Sequence, residues 1–185
     1  MSTEFGQDHG LIHEAVVTGR KVGAGKDFWS ALAHSEELFA KVVAFMATTL
    51  KAVFRFVPGF DHDMTKDGWK LLNDSGTKKG EFEPELGEFL KDKEGFVNGE
   101  EMMTRAQTMG NCAGQRHAEA MLRDSSKIPE EWRKYVLVFT DTVWQGSDGS
   151  RRVAYLGWDG DRWCLCFYWL RRDFDQGYRL VRLRK

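Results

Sequence analysis

Between Arg162 and Leu170 the chain reads Arg-Trp-Cys-Leu-Cys-Phe-Tyr-Trp-Leu, and large apolar residues occupy every second position. In an extended strand successive side chains point to opposite faces. Trp163, Leu165, Phe167 and Trp169 therefore share one side, and Cys164, Cys166 and Tyr168 share the other. Four large apolar groups on one side of a strand demand a core beneath them, so the C-terminal part of the chain is built on a sheet. Composition sharpens the point. From Tyr135 to Arg184 there is no Lys, Glu or Met, every acid is Asp and every base is Arg, although the three missing types are frequent before Tyr135.

The 185 residues suffice for one domain with a core, or for a smaller domain with a helical appendage. A net charge of −1 gives no global field to attract nucleic acid or anionic lipid. The three cysteines, Cys112, Cys164 and Cys166, are too few and oddly numbered for a secreted disulfide scaffold. Met1 to Lys26 has no apolar run of the signal-peptide kind, so synthesis in the cytoplasm is expected, with display on a virus particle or cell left open. Lys41, Lys51 and Arg55 interrupt the most apolar stretch, Leu38 to Val57, which argues against a membrane span.

Residues 1–26 read as a flexible or loosely docked arm. Phe28 to Val57 reads as one or two helices: Leu38, Phe39, Val42, Val43, Phe45, Met46, Leu50, Val53 and Phe54 recur at helical spacing, Ser35 is the expected N-cap, and Pro58-Gly59 is the stop. The stripe is wide enough to pack on more than one side, as a core helix or as the contact of a homo-oligomer. Over residues 61–99, turn signals bracket a short strand at Trp69-Lys-Leu-Leu72, and Pro84 to Asp92 reads as a short helix with Pro84 in its first turn. Glu100 to Met109 and Gly114 to Arg123 read as further helices, the first ended by Gly110-Asn111 and the second burying Ala118, Met121 and Leu122. Ile128 to Trp132 is a one-turn element. Strand periodicity then takes over: Tyr135 to Phe139, Thr142 to Trp144 and Arg152 to Leu156 with a hairpin turn at Ser147 to Ser150, Arg162 to Leu170, a loop at Asp173 to Gly177, and a closing strand from Arg179 to Arg184. Helices followed by a compact, mostly antiparallel sheet make an α+β fold, with residues 1–60 as arm and helical segment and 61–185 as the main domain.

Several side chains invite a chemical reading. Cys112 and His117 suggest a nucleophile pair, but a separation of five places them off one helical face, and a structural histidine is the better expectation. Two Asp-x-Asp pairs, Asp159 with Asp161 and Asp173 with Asp175, suggest calcium, yet the EF-hand loop pattern is absent. Cys164 and Cys166 lack further ligands at zinc spacing. Asp61-His-Asp63 reads as a solvated turn. Arg179, Arg182, Arg184 and Lys185 would suit phosphates, although a terminal strand with arginines on a solvated edge is the plainer expectation. No phosphate loop, nucleophile elbow or zinc signature is present. The expectation is a protein without enzyme activity, metal or cofactor.

Ile128-Pro-Glu-Glu-Trp132, Tyr135-Val-Leu-Val-Phe139, Asp148-Gly149, Tyr155-Leu-x-Trp158-x-Gly160-x-Arg162-Trp163 and Trp169-Leu170 together resemble the C-terminal part of variable proteins of diversity-generating retroelements. The resemblance covers roughly residues 100–185, rests mainly on Asp67-Gly-Trp-Lys70 within 61–99, and has no counterpart over 1–60. In that family a reverse transcriptase miscopies adenines of a template repeat, and the mutated copy replaces the end of the target gene. Asparagine codons of the AAY type become codons for Asp, Gly, Arg, Cys, Tyr, Phe or Ser, and never for Trp, Lys, Glu, Met or Gln. The residues between the framework positions Trp158, Trp163, Leu165, Phe167 and Trp169 are all reachable in this way except Gln176.

The resemblance implies a C-type-lectin-like fold carrying a variable region over about 153–178. It implies a ligand-binding surface formed by Tyr155, Gly157, Asp159, Asp161, Cys164, Cys166, Tyr168, Arg171, Arg172, Asp173, Phe174, Asp175, Gly177 and Tyr178. The ligand would be a protein or another cell-surface molecule. A fixed-sequence interaction module and, further off, a nucleic-acid-binding protein using the arginine-rich end are the alternatives.

Overall fold

The computed structural model describes residues 16–17, 20–21, 23–49, 52–75 and 80–184, in two compact units, Met1–Lys51 and Ala52–Lys185. Most of the arm expected over 1–26 lies outside the described residues, as do Leu50 and the side chains of Val43, Phe45 and Met46. The first unit contains helices α1 (Lys26–His34) and α2 (Glu36–Thr49). The expected cap forms: the Ser35 hydroxyl accepts from the Leu38 N–H at 3.2 Å, ahead of Glu36 and Glu37, whose charges suit a helix N-terminus.

Phe54, expected in the helical stripe, is instead in strand β1 (Phe54–Arg55) of the second unit, fully buried and stacked on Phe82 of β3 (Glu81–Phe82). The order then runs β2 (Lys70–Asp74), β3, β4 (Pro84–Gly87), β5 (Phe96–Asn98), α3 (Gly99–Met109), α4 (Gln115–Arg123), β6 (Val136–Gln145), β7 (Arg151–Trp158), β8 (Trp163–Trp169), β9 (Asp173–Asp175) and β10 (Tyr178–Leu183). The fold is a mixed α+β one. Its main sheet has the order β4-β10-β6-β7-β8, with β2 also paired to β6, and every ladder is antiparallel except β10 on β6.

Three expectations need correcting. Pro84 to Gly87 is a strand rather than the start of a helix, because β10 offers it a full antiparallel register from Leu180↔Gly87 to Leu183↔Pro84. The sheet is therefore not confined to the chain's end, since β2 and β4 precede α3 and α4. β10 is an interior strand between β4 and β6, so its arginines do not line an edge. Arg179 lies 4.2 Å over the Tyr135 ring and 3.1 Å from Glu88, and Arg182 donates to the carbonyls of Gly110 and Met109. The expected hairpin is present between β6 and β7, with Gly149 at φ 75° in its turn, a conformation that glycine adopts without a steric penalty.

Each face of the sheet carries a core. One buries Ala118, Ala120 and Met121 of α4 against Leu137, Phe139, Ala154, Leu156, Trp163, Val181 and Leu183. The other buries Met102, Met103 and Ala106 of α3 with Phe89 against Val138, Val143, Val153, Leu170, Phe174 and Leu180. Gly99 lets α3 approach the sheet: a methyl group there would lie 2.4 Å from the Leu170 carbonyl oxygen, and the Gly99 N–H donates to the Arg172 carbonyl at 2.9 Å. α3 covers only part of this second face, and the uncovered part is the region of interest.

A polar network closes the first core. Glu119, 1% exposed, accepts from the backbone N–H groups of Asp61 and His62 at 3.0 and 2.9 Å and from the Gln115 amide at 2.8 Å. Gln115 also accepts from the Trp144 indole at 2.6 Å and donates to the His62 carbonyl at 2.7 Å. Asp61 and His62 are exposed, as expected of a solvated turn, but their backbone is fastened to a buried carboxylate.

Candidate ligand-binding surface

Cross-strand register assembles the surface. Tyr155 stands opposite Cys166, Gly157 opposite Cys164, and Val153 opposite Tyr168. On the other side of β7, Tyr155 pairs with Val138, and Tyr178 of β10 pairs with Val136. Alternation places all of these on the face that α3 leaves partly open. Tyr168 is the hub of an aromatic cluster, with ring centroids 6.2 Å from Tyr155, 5.9 Å from Tyr178 and 5.4 Å from Phe174. Gly157 keeps the region beside Tyr155 low: a methyl group at Gly157 would meet the Tyr155 ring at 3.4 Å.

The opposite alternation set faces the first core. Trp163 is 5% exposed and meets Trp158 edge-on at 5.6 Å. Leu165 and Phe167 are half-buried against the same core, and Phe167 meets Trp69 edge-on. Trp169 lies over the Arg152 guanidinium at 5.2 Å, and Trp69 lies over it at 4.5 Å.

The two ends of β8 carry the charged residues. At one end Asp159 organises the hairpin tip, accepting from the N–H groups of Asp161 and Arg162 at 3.3 and 3.1 Å and from the Cys164 thiol at 3.1 Å. These bonds, that of Cys164 first, hold its carboxyl well below the usual carboxylate range, and the same contact pushes the Cys164 thiol up. At the other end Arg171, Arg172, Asp173 and Asp175 are exposed, and Asp175 accepts from the Gly177 N–H at 2.7 Å.

Asp173 to Asp175 is a strand, not the expected loop. β9 pairs with β5, and the outer aspartates flank an inward Phe174. Phe174 is 0% exposed and packs on Tyr168 and Tyr178, so it supports the surface from beneath and cannot itself touch a ligand. The pairing also presents Phe96, 62% exposed, opposite Asp175. An exposed phenylalanine on a short strand has no periodic signature, and only the pairing places it beside the candidate residues.

Burial pushes the Tyr155 phenol up to about 12, with hydrogen bonding to Cys166 second, and Tyr178 is raised by burial and by Tyr168. A raised phenol binds its proton more tightly in the fold than in the unfolded chain. Its contribution is complete below the ordinary value of 10.0 and is lost as pH rises toward about 12. Tyr155→Phe is expected to flatten the alkaline fall in stability across that window, measured as unfolding free energy against pH.

Cys112 and His117 both line a cavity of about 300 Å³ together with Asp141. Cys112 donates to the Ala106 carbonyl at 3.1 Å, and His117 accepts from the Gly114 N–H at 3.1 Å while its ring packs on Phe56 and Phe82. Among the described residues no group of three His, Cys, Asp or Glu is arranged to hold a metal ion, and no helix is long and apolar enough to cross a membrane. No family model, no curated protein and no solved structure matches the chain.

Proposed function

We propose that this chain is a non-enzymatic, diversified ligand-binding protein, a variable protein of a diversity-generating retroelement. In this reading Ala52–Lys185 is a C-type-lectin-like domain that displays rewritable residues on the open part of its second sheet face and at the two ends of β8. The observation that carries the reading is the division of β8. Its adenine-reachable residues Cys164, Cys166 and Tyr168 stand beside Tyr155 and Gly157, while Trp163, Leu165 and Phe167 pack on the opposite core. Substitution of a packed residue costs roughly 2–5 kcal/mol, a large part of a domain stability of about 5–15 kcal/mol, so repeated rewriting is tolerable only where side chains are not packed. Tyrosines supply contact area at low conformational cost, and Arg171 and Arg172 supply charged hydrogen bonds, which suits a protein or other cell-surface ligand.

Some positions favour a fixed-sequence interaction module instead: Phe174 is fully buried, Tyr168 and Tyr178 pack on the second core, and Asp159 ties the hairpin tip. Under diversification, occupants of position 174 would be restricted to large apolar residues. The arginines of β10 are engaged with glutamates, carbonyls and a tyrosine ring, which weakens the nucleic-acid alternative. The deciding experiment is sequencing of the DNA around the gene. A nearby second copy of codons 155–178, differing at adenines and preserving Trp158, Trp163, Leu165, Phe167 and Trp169, is expected. Absence of such a copy, or one differing equally at all four bases, overturns the retroelement reading.

A further inference from the structure

Among the described residues the main sheet ends in three strands with one unpaired side, and they are not alike. β4 has four residues, begins with Pro84 and carries Glu85; β2 has a register shift between Leu71 and Asn73 and is flanked by Lys70 and Asp74. Proline, charge, brevity and bulges are the devices that keep a sheet edge from recruiting another strand. β8 has none of them. Its seven residues, Trp163–Trp169, include no charged residue and no proline, and they pair with β7 in unbroken register.

The direction of its backbone groups follows from two bonds. Leu170 N–H donates to Arg151 C=O at 2.9 Å, and Asp159 N–H donates to Arg162 C=O at 3.1 Å. Hydrogen-bonded pairs recur every second residue in an antiparallel ladder, so Cys164, Cys166 and Tyr168 bond to β7. Leu165 and Phe167 therefore aim their N–H and C=O away from the sheet, and among the described residues no backbone group pairs with them. Charged residues flank this bare edge: at one end Arg162 is paired with Asp159 at 3.4 Å beside Asp161, and at the other Arg171 and Arg172 are exposed, next to Asp173 and Asp175.

From this edge we infer that the ligand is an extended, acidic peptide segment of a partner protein, which adds to β8 as a further strand. The inference rests on the ligand-binding reading above and names the class of ligand. Main-chain hydrogen bonds to Leu165 and Phe167 supply affinity that does not depend on any side chain, while side chains beside Cys164, Cys166 and Tyr168 supply selectivity. A surface whose side chains change needs such a constant term. Arg171 and Arg172, which make no ion pair among the described residues, select an acidic residue at their end of the incoming strand.

The test uses the full chain and a synthetic blocked peptide of about eight residues alternating valine with glutamate, long enough to span β8. In the free protein, amide hydrogen exchange read by NMR should be fast at Leu165 and Phe167 and slow at Cys164, Cys166 and Tyr168. Peptide at ~10 times its Kd should slow exchange at Leu165 and Phe167 about tenfold. The same peptide fully N-methylated should have no effect, and Arg171→Glu with Arg172→Glu should weaken binding about tenfold at low salt. No slowing at millimolar peptide overturns the inference. So does prior protection of both amides, whether it persists on dilution (the chain covers its own edge) or is lost (a second copy covers it). A template copy without edge protection would leave diversification standing and remove strand addition, and edge protection without a template copy would do the reverse.

Discussion

Trp163→Ala is expected to destabilise Ala52–Lys185 by about 3–5 kcal/mol, a fall of roughly 10–20 °C in Tm. The indole is 5% exposed and meets Trp158 edge-on, and Trp158 in turn packs on the first core and under the Arg133 guanidinium at 4.2 Å, so truncation opens a cavity and removes the support of Trp158. Cys166→Ser and Arg171→Ala, at exposed positions on the same hairpin and its exit, should change stability by no more than about 0.5 kcal/mol. Urea unfolding of the three variants measures the contrast. Equal losses would contradict the assignment of β8 to one packed and one displayed side. Tyr168→Ala should fall between the two classes, because its ring also buttresses Phe174 and Tyr178.

The parts of this architecture legible in the chain are those fixed by local periodicity. The alternation of β8, the hairpin turn at Asp148-Gly149 and the helices ending at Met109 and Arg123 each have a signal within a few residues. What was missed depends on partners distant in sequence. Pro84 to Gly87 has a helix-compatible start, and it is a strand because β10, nearly a hundred residues later, offers a backbone edge. Asp173 to Asp175 is too short and polar to announce a strand, although Asp-Phe-Asp has the alternation of one, and β5 completes it. The same distance effect hid the second core. One strand can show two faces, but only the seating of α3 on Val138, Val153 and Leu180 decides how much of the displayed face is already taken. Tyr155, Gly157, Cys164 and Cys166 lie where α3 does not reach. Phe174 lies where it does, which is why an adenine-reachable residue can be structural.

Glu119→Ala should be the most damaging substitution of a polar residue, at about 3–5 kcal/mol. The carboxylate has left water, with 1% of its surface exposed, and its stabilisation comes from two backbone N–H groups and one side-chain amide. Removing it takes the acceptor from the part-buried N–H groups of Asp61 and His62 and from one hydrogen of the buried Gln115 amide, and a buried donor left without an acceptor costs about 1–3 kcal/mol. Gln115 amplifies the loss because its amide links Glu119 and the His62 carbonyl, while its oxygen receives the Trp144 indole N–H. Glu119→Gln keeps one acceptor oxygen and should cost less, about 1–3 kcal/mol. The outcome has a local signature besides the global one. Asp61 and His62 are held to α4 through this carboxylate, so their amides should exchange faster in Glu119→Ala under conditions where the core amides of β6 remain protected. Uniform acceleration across β6 and the segment at Asp61 and His62 would instead mean that Glu119 stabilises the domain as a whole and does not fasten one segment to it.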